Sequence, residues 1–184
     1  MKYIPLLLLS GCITLLEEAG TVDPGTLIFS SGEALVFEKD FLQIKEMYLK
    51  PCSFRYGISE EVEFFMDFLG YGVQVGLKKA FVYPWMVFSI KGTWGRLYTE
   101  DVYHYGIVLS SGVKYSSGGF YITGATMGFT KEGHYGKVLG AGWYVRNRKG
   151  TGLRIEGGYM KFRIQDAKED GAFYIGTGMD ISVF

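Results

Sequence analysis

E-V-E-F-F-M-D-F, residues 61–68, changes character at every step. In an extended chain successive side chains point to opposite faces, so Val62, Phe64, Met66 and Phe68 share one face and Glu61, Glu63, Phe65 and Asp67 the other. Such a strand belongs at a boundary between an apolar and a polar medium. The same alternation recurs along the chain. Val73, Val75 and Leu77 oppose Gln74, Gly76 and Lys78. Tyr103, Tyr105, Ile107, Leu109, Val113 and Tyr115 oppose His104, Gly106, Ser110, Gly112 and Lys114. Leu139, Ala141, Trp143 and Val145 oppose Gly140, Gly142, Tyr144 and Arg146. Phe173, Ile175, Met179, Ile181 and Val183 oppose Gly176, Gly178, Asp180 and Ser182.

These periods predict ten strands, at 27–38, 48–57, 61–69, 72–82, 85–94, 102–116, 119–130, 137–147, 151–165 and 172–184. In 153–164 the phase breaks: Leu153 and Ile155 are odd-numbered, Met160, Phe162 and Ile164 even-numbered. A bulge at Gly157-Gly158 is expected to restore the register and to put Arg154, Glu156, Lys161 and Arg163 on one face. Glu38–Lys50 is the one stretch that reads as short helix or irregular chain.

Composition agrees with an all-β chain. Of 184 residues, 27 are Gly, 14 Tyr, 14 Phe and only 4 Pro, and 48% are hydrophobic. The 19 basic and 19 acidic residues cancel, so no nucleic-acid footprint is present.

Alternation alone does not say which face meets water. Glycine decides: Gly72, Gly76, Gly106, Gly112, Gly140, Gly142, Gly176 and Gly178 fall on the polar face. A solvated outer surface carries Lys, Glu and Thr, whereas a narrow lumen needs gaps beside its few large charged residues. Many strands have the ~9–11 residues that a tilted strand needs to cross hydrocarbon. Turns at the rim shared with both chain ends are short, around 58–60, 83–84, 116–119 and 148–150. Those around 39–46, 95–101, 131–136 and 166–171 are mostly longer. The expected architecture is an antiparallel up-and-down transmembrane β-barrel of about ten strands.

At the amino terminus Lys2 precedes the apolar run Tyr3–Leu9, too short to span a bilayer, and small residues follow, as in a secretory signal. Leu9-Ser10-Gly11-Cys12 resembles the lipobox of bacterial lipoproteins. That resemblance implies cleavage before Cys12 and a lipid on it, and Ile13 is not the aspartate associated with inner-membrane retention. It divides the chain into signal peptide 1–11, lipidated linker 12–25 and barrel 26–184. Lipidation would leave Cys52 without an internal disulfide partner; a Cys12–Cys52 bridge is the alternative. F-R-Y-G-I-S-E-E-V-E-F-F-M-D-F, residues 54–68, resembles the second-strand hairpin of small bacterial outer-membrane β-barrel proteins. The terminal Phe184 is similar to the last residue of many of them, although it is in phase with Ser182 and Asp180. The two resemblances together imply a lipid-anchored, porin-like protein of the bacterial outer membrane.

The polar face gathers Arg55, Glu63, Asp67, Lys78, Lys91, His104, Lys114, Arg146, Arg154 and Glu156. In a closed small barrel these charges must pair, because a lone buried charge is very costly. They read as a lumen charge network, with Arg55 held by Glu63 or Asp67. Catalysis is not expected. The chain has two histidines; His104, in Y-H-Y-G, lacks the His-x-Ser of lipid A deacylases, and His134 lies in the loop K-E-G-H-Y-G. No metal spacing and no phosphate-binding loop before a helix occur, so no metal or cofactor is expected. Tyr83, Trp85, Trp94, Tyr98, Tyr103, Tyr115, Tyr121 and Trp143 are expected to form aromatic girdles near the strand ends.

The reading is a non-catalytic outer-membrane β-barrel lipoprotein, structural or a narrow passive pore. Its partners are membrane lipids through the wall and the anchor, with at most a small solute inside. The alternative is a soluble, membrane-anchored barrel or half-barrel that carries a hydrophobic ligand, such as a lipid or lipoprotein. Its pocket would then be lined by Val62, Phe64, Met66, Val73, Val75 and Leu77. The lipobox makes a direct prediction: Cys12→Ser abolishes incorporation of labelled fatty acid, and incorporation that survives the substitution contradicts it.

Overall fold

The computed structural model describes residues 19–37, 44–69, 72–97, 103–115, 118–130, 135–147, 151–163 and 170–183. They form ten strands: β1 Leu27–Phe37, β2 Ile44–Gly57, β3 Val62–Leu69, β4 Gly72–Val82, β5 Met86–Leu97, β6 Tyr103–Tyr115, β7 Gly118–Phe129, β8 Tyr135–Arg146, β9 Gly152–Arg163 and β10 Asp170–Ser182. Each pairs antiparallel with its sequence neighbour, and β1 pairs with β10 to close the barrel. Closure leaves no sheet edge with unpaired backbone groups. The ten strands expected from alternation are the ten observed.

Two expectations are corrected. Ile44–Lys50, within the stretch that read as helix or irregular chain, is the first half of β2; residues 38–43 lie outside the described part. The bulge expected at Gly157-Gly158 is absent, since β9 runs in continuous register against both β8 and β10. Phase is kept instead by turning Met160 inward, where it is fully buried, and Lys161 and Arg163 outward. The expectation assumed that one face stays apolar along the whole strand. An apolar band has finite height, and charges become cheap at its edge. The irregularities lie in β2 against β1, between Ser30 and Gly32 and between Val36 and Phe37. At the first, Pro51 and Cys52 together oppose Ser31. A proline has no amide to give the ladder, so a bulge is where it fits.

The wall is inverted relative to a soluble domain. Ile122, Leu139, Leu153, Leu109 and Tyr105 are among the most exposed side chains, at 57–62%. Glu63, Asp67, Lys78 and His104 are 0% exposed. Inward glycines make room for large inward neighbours. A Cβ on Gly140 would strike the Tyr174 hydroxyl, one on Gly95 the His104 ring, and one on Gly76 the Phe65 ring. Outward Gly124 meets nothing within 4 Å.

Gly140→Val therefore displaces Tyr174 and should destabilise the barrel by about 1–3 kcal/mol, the usual cost of overpacking. Gly124→Ala should be near neutral. Equilibrium unfolding of the two variants compares them; equal costs would contradict the assignment of inner and outer faces.

Candidate functional site

The site is the lumen. Its first cluster is built on β2 to β6. The Arg55 guanidinium grips Glu63 with two bonds, Nε to Oε1 at 2.9 Å and Nη2 to Oε2 at 2.9 Å. Both side chains are buried. Such a two-point arrangement is the strongest arginine–carboxylate geometry. One level further in, Asp67 accepts from the Ser53 hydroxyl and from Gln74 Nε2 at 2.6 Å. Lys91 Nζ lies 3.8 Å from Asp67 and 3.5 Å from the centre of the Phe65 ring. Gln74 passes the chain of bonds on, since its Oε1 accepts from His104 Nε2 at 3.2 Å. The His104 ring packs against Phe129, centroid to centroid 6.0 Å.

The second cluster is built on β8 to β10 and β1. Asp180 accepts from Arg154 Nη2 at 2.7 Å, Arg146 Nη2 at 2.8 Å and Ser30 Oγ at 2.6 Å. Glu156 accepts from the Tyr174 hydroxyl at 2.5 Å. The structure thus places Arg55, Glu63, Asp67, Lys78, Lys91 and His104 on one side of the lumen, and Arg146, Arg154 and Glu156 on the other. Lys114 stands opposite Gly119 in the β6–β7 ladder, and its side chain lies outside the described residues. Cys12 and His134 also lie outside them.

Asp180, the hub of the second cluster, was visible only as one polar residue among glycines. Alternation placed it on the inner face, but nothing local marks it as the partner of arginines distant in sequence. Gln74 and Tyr174 were also not singled out, although Gln74 stands directly opposite Asp67 in the β3–β4 hairpin and Tyr174 meets Glu156 on the neighbouring strand. Tyr121, expected in a girdle, points into the lumen at 2% exposure. It follows a phase in which Ile122, not Tyr121, faces out. Trp94 and Trp143 are exposed on the outer surface, with Trp94 stacked on Tyr103 at 5.6 Å, and Tyr83 and Trp85 are exposed in the β4–β5 turn. Tyr98 and the Tyr115 side chain lie outside the described residues.

Ahead of β1, residues 19–25 lie at the end of the barrel where β1 starts and β10 ends. Ala19 is buried against Ala80, Val87 and Tyr121. The Gly20 carbonyl accepts from Lys78 Nζ at 2.6 Å and Arg55 Nη2 at 3.5 Å. The Val22 amide donates to Glu63 Oε2 at 3.0 Å. Pro24 bridges to Gly57, where a Cβ would strike the Asp23 carbonyl. Gly25, in the left-handed region at φ 75°, turns the chain into β1. The segment therefore runs across this mouth, from Tyr121 on β7 to Gly57 on β2, as a strap. Cations of the wall hold its backbone.

Among the described residues no group of three or more metal-ligating side chains occurs. No family model matches the chain, and no curated protein matches it. Solved structures similar in outline include two from Pseudomonas aeruginosa. The N-terminal β-barrel domain of Pseudomonas aeruginosa OprF is 11% identical, covering 87% of this chain and 100% of that one, with TM-score 0.35. Pseudomonas aeruginosa OccK11 (OpdR) is 9% identical, covering 86% and 67%, with TM-score 0.30. At these scores the likeness carries no weight.

The Arg55–Glu63 pair has a measurable signature. Glu63→Gln strands a buried guanidinium and loosens Val22, and should cost about 3–5 kcal/mol. A double-mutant cycle with Arg55→Met should show strong coupling, because the methionine removes the charge that Glu63 compensates. Additive effects would contradict the pairing.

Proposed function

We propose that the chain is a bacterial outer-membrane lipoprotein whose barrel crosses the bilayer, with a lumen too filled to serve as a wide pore. The observation that carries this reading is the inversion of the wall. Apart from Glu33 on β1, Lys79 and the cations at the far rim, the described outward side chains of the strands carry no charge, while the inner charges are buried or nearly so and paired, an arrangement that suits apolar surroundings. In water, outward Leu77, Leu109, Ile122, Leu139 and Leu153 would each give up about 1.5–3 kcal/mol of burial. Strands of 8–14 residues fit a tilted crossing. The exposed aromatics near both rims suit the two interfaces.

The carrier alternative needs Val62, Phe64, Met66, Val73, Val75 and Leu77 around an internal pocket. All six face outward, while Glu63, Asp67, Gln74 and Lys78 fill the inside. Inward Val36, Val108, Met127, Phe129, Val138 and Met160 are apolar as well, but each is at most 8% exposed, so they are packed side chains and not the open lining of a ligand pocket. The lumen instead holds both charge signs, bulky Phe65, Tyr121 and Tyr174, and the strap across one mouth. Such an interior suits a structural role or the passage of water and very small solutes, with little ion selectivity. Among the described residues the one histidine, His104, bonds Gln74 through Nε2 and packs against Phe129. Lipidation at Cys12 fits the strap's position. Seven residues from Cys12 to Ala19 extend to about 23–25 Å, enough to lead from the mouth to the bilayer surface.

Two measurements test the reading. Lysine at Phe64 or Val75 should impair insertion into vesicles by about 2–4 kcal/mol near the midplane; soluble, folded variants would contradict a lipid-facing wall. In planar bilayers the purified protein should be silent or show only small conductances. Large, stable, strongly ion-selective openings would overturn the closed lumen.

A further inference from the structure

The outer surface of β8 and β9 is apolar from Val145, Trp143, Leu153 and Ile155 up to Leu139 and Tyr159. It then turns basic at the rim away from the chain ends. Lys137 stands directly opposite Lys161 in the β8–β9 ladder, and Tyr135 directly opposite Arg163. All four face outward, with Lys137 and Arg163 exposed and Tyr135 and Lys161 half-buried. Lys137 Nζ lies 5.5 Å from the centre of the Tyr135 ring. No acid of β7, β8 or β9 faces outward, since their one carboxylate, Glu156, is inside. Arg96, with Tyr103 opposite it on β6, repeats the cation–aromatic pairing at the same rim. The opposite rim differs, because its outward Lys79 has Glu61 at 3.9 Å.

Like charges directly opposite each other on a sheet face repel. Two ammonium groups and a guanidinium on two neighbouring strands make a poor face for an apolar medium and a good one for a multiply charged oxyanion. A guanidinium offers a planar fork to phosphate, and the lysines add point charges beside it. Their height selects the source of that phosphate. The cluster stands immediately beyond the apolar belt, within two residues of the strand ends, where headgroups lie. The half-buried Tyr135 and Tyr159 rings give the adjoining apolar surface for acyl chains.

We infer that Lys137, Lys161 and Arg163, with Tyr135, form a binding site for the phosphate groups of a phosphorylated glycolipid, of the lipid A type, in the outer leaflet. The inference rests on the membrane-barrel reading and on its orientation, with both chain ends at the periplasmic rim. It explains why charge is kept on the outer face of β9, where continued alternation could have placed Val or Leu.

The test is native mass spectrometry of the full-length protein in detergent, titrated with diphosphorylated lipid A, lipid A lacking both phosphates, and inorganic pyrophosphate. Diphosphorylated lipid A should bind at least tenfold more tightly than the dephosphorylated form. The triple variant Lys137→Gln, Lys161→Gln, Arg163→Gln should lose at least tenfold, and Lys79→Gln at the other rim should change little. Resistance of the folded band to unfolding in detergent keeps the comparison among folded proteins. Equal binding of the two lipid A forms, or an unchanged triple variant, overturns the site. Pyrophosphate binding as tightly as the lipid overturns a lipid source. Failure of the wild-type protein to enter vesicles of any composition sinks the membrane reading instead, and is told apart because it does not depend on these three residues.

Discussion

One carboxylate ties the interior together. Glu63 is clasped by the Arg55 guanidinium and capped by the Val22 amide, so a single buried charge joins β2, β3 and the strap ahead of β1. The constraint behind it is general. A barrel of ten strands encloses little more than its own side chains, and a charge placed there is removed from water on every side. It persists only with a partner of opposite sign or a donor aimed at it. Asp67 with Ser53, Gln74 and Lys91, and Asp180 with Ser30, Arg146 and Arg154, satisfy the same requirement on neighbouring strands and across the β1–β10 seam.

Glycine is the other half of that constraint. Large residues such as Tyr174, His104 and Phe65 fit the lumen because Gly140, Gly95 and Gly76 leave the space that a methyl would take. The pairing of a ring with a glycine across the ladder replaces the apolar interdigitation of a soluble core. Stability and occlusion then have one origin: the packing that satisfies the charges also fills the conduit. The strap adds to both, since its Gly20 carbonyl accepts hydrogen bonds from Lys78 and Arg55 while its chain crosses the mouth.

The architecture was legible because period-two alternation is a local signal repeated ten times, and E-V-E-F-F-M-D-F carries it in eight residues. The direction of the faces was legible from where glycine falls. Three things were not. The phase of β9 depends on the height at which the apolar belt ends, which a strand read alone does not report; hence the bulge expected at Gly157-Gly158. The start of β2 at Ile44 is obscured by Lys45, Glu46 and Lys50, and its true irregularity at Pro51 is imposed by pairing with β1. The contacts of Asp180 with Ser30 and Arg146, and of Gly20 with Lys78 and Arg55, join residues far apart in sequence, which no local pattern reports. Arg55 with Glu63 was readable because one hairpin brings them together.

The central claim is that the apolar face meets lipid while the charged face is sealed. The chain has three tryptophans: Trp94 and Trp143 are exposed on the outer face of β5 and β8, and Trp85 is exposed in the β4–β5 turn. Tryptophan emission of the folded protein in vesicles of brominated phospholipid measures the claim directly. Strong quenching relative to the unbrominated lipid, with little quenching by aqueous iodide, is the predicted result. A folded protein whose emission ignores bromine and yields to iodide would place this surface in water and contradict the account.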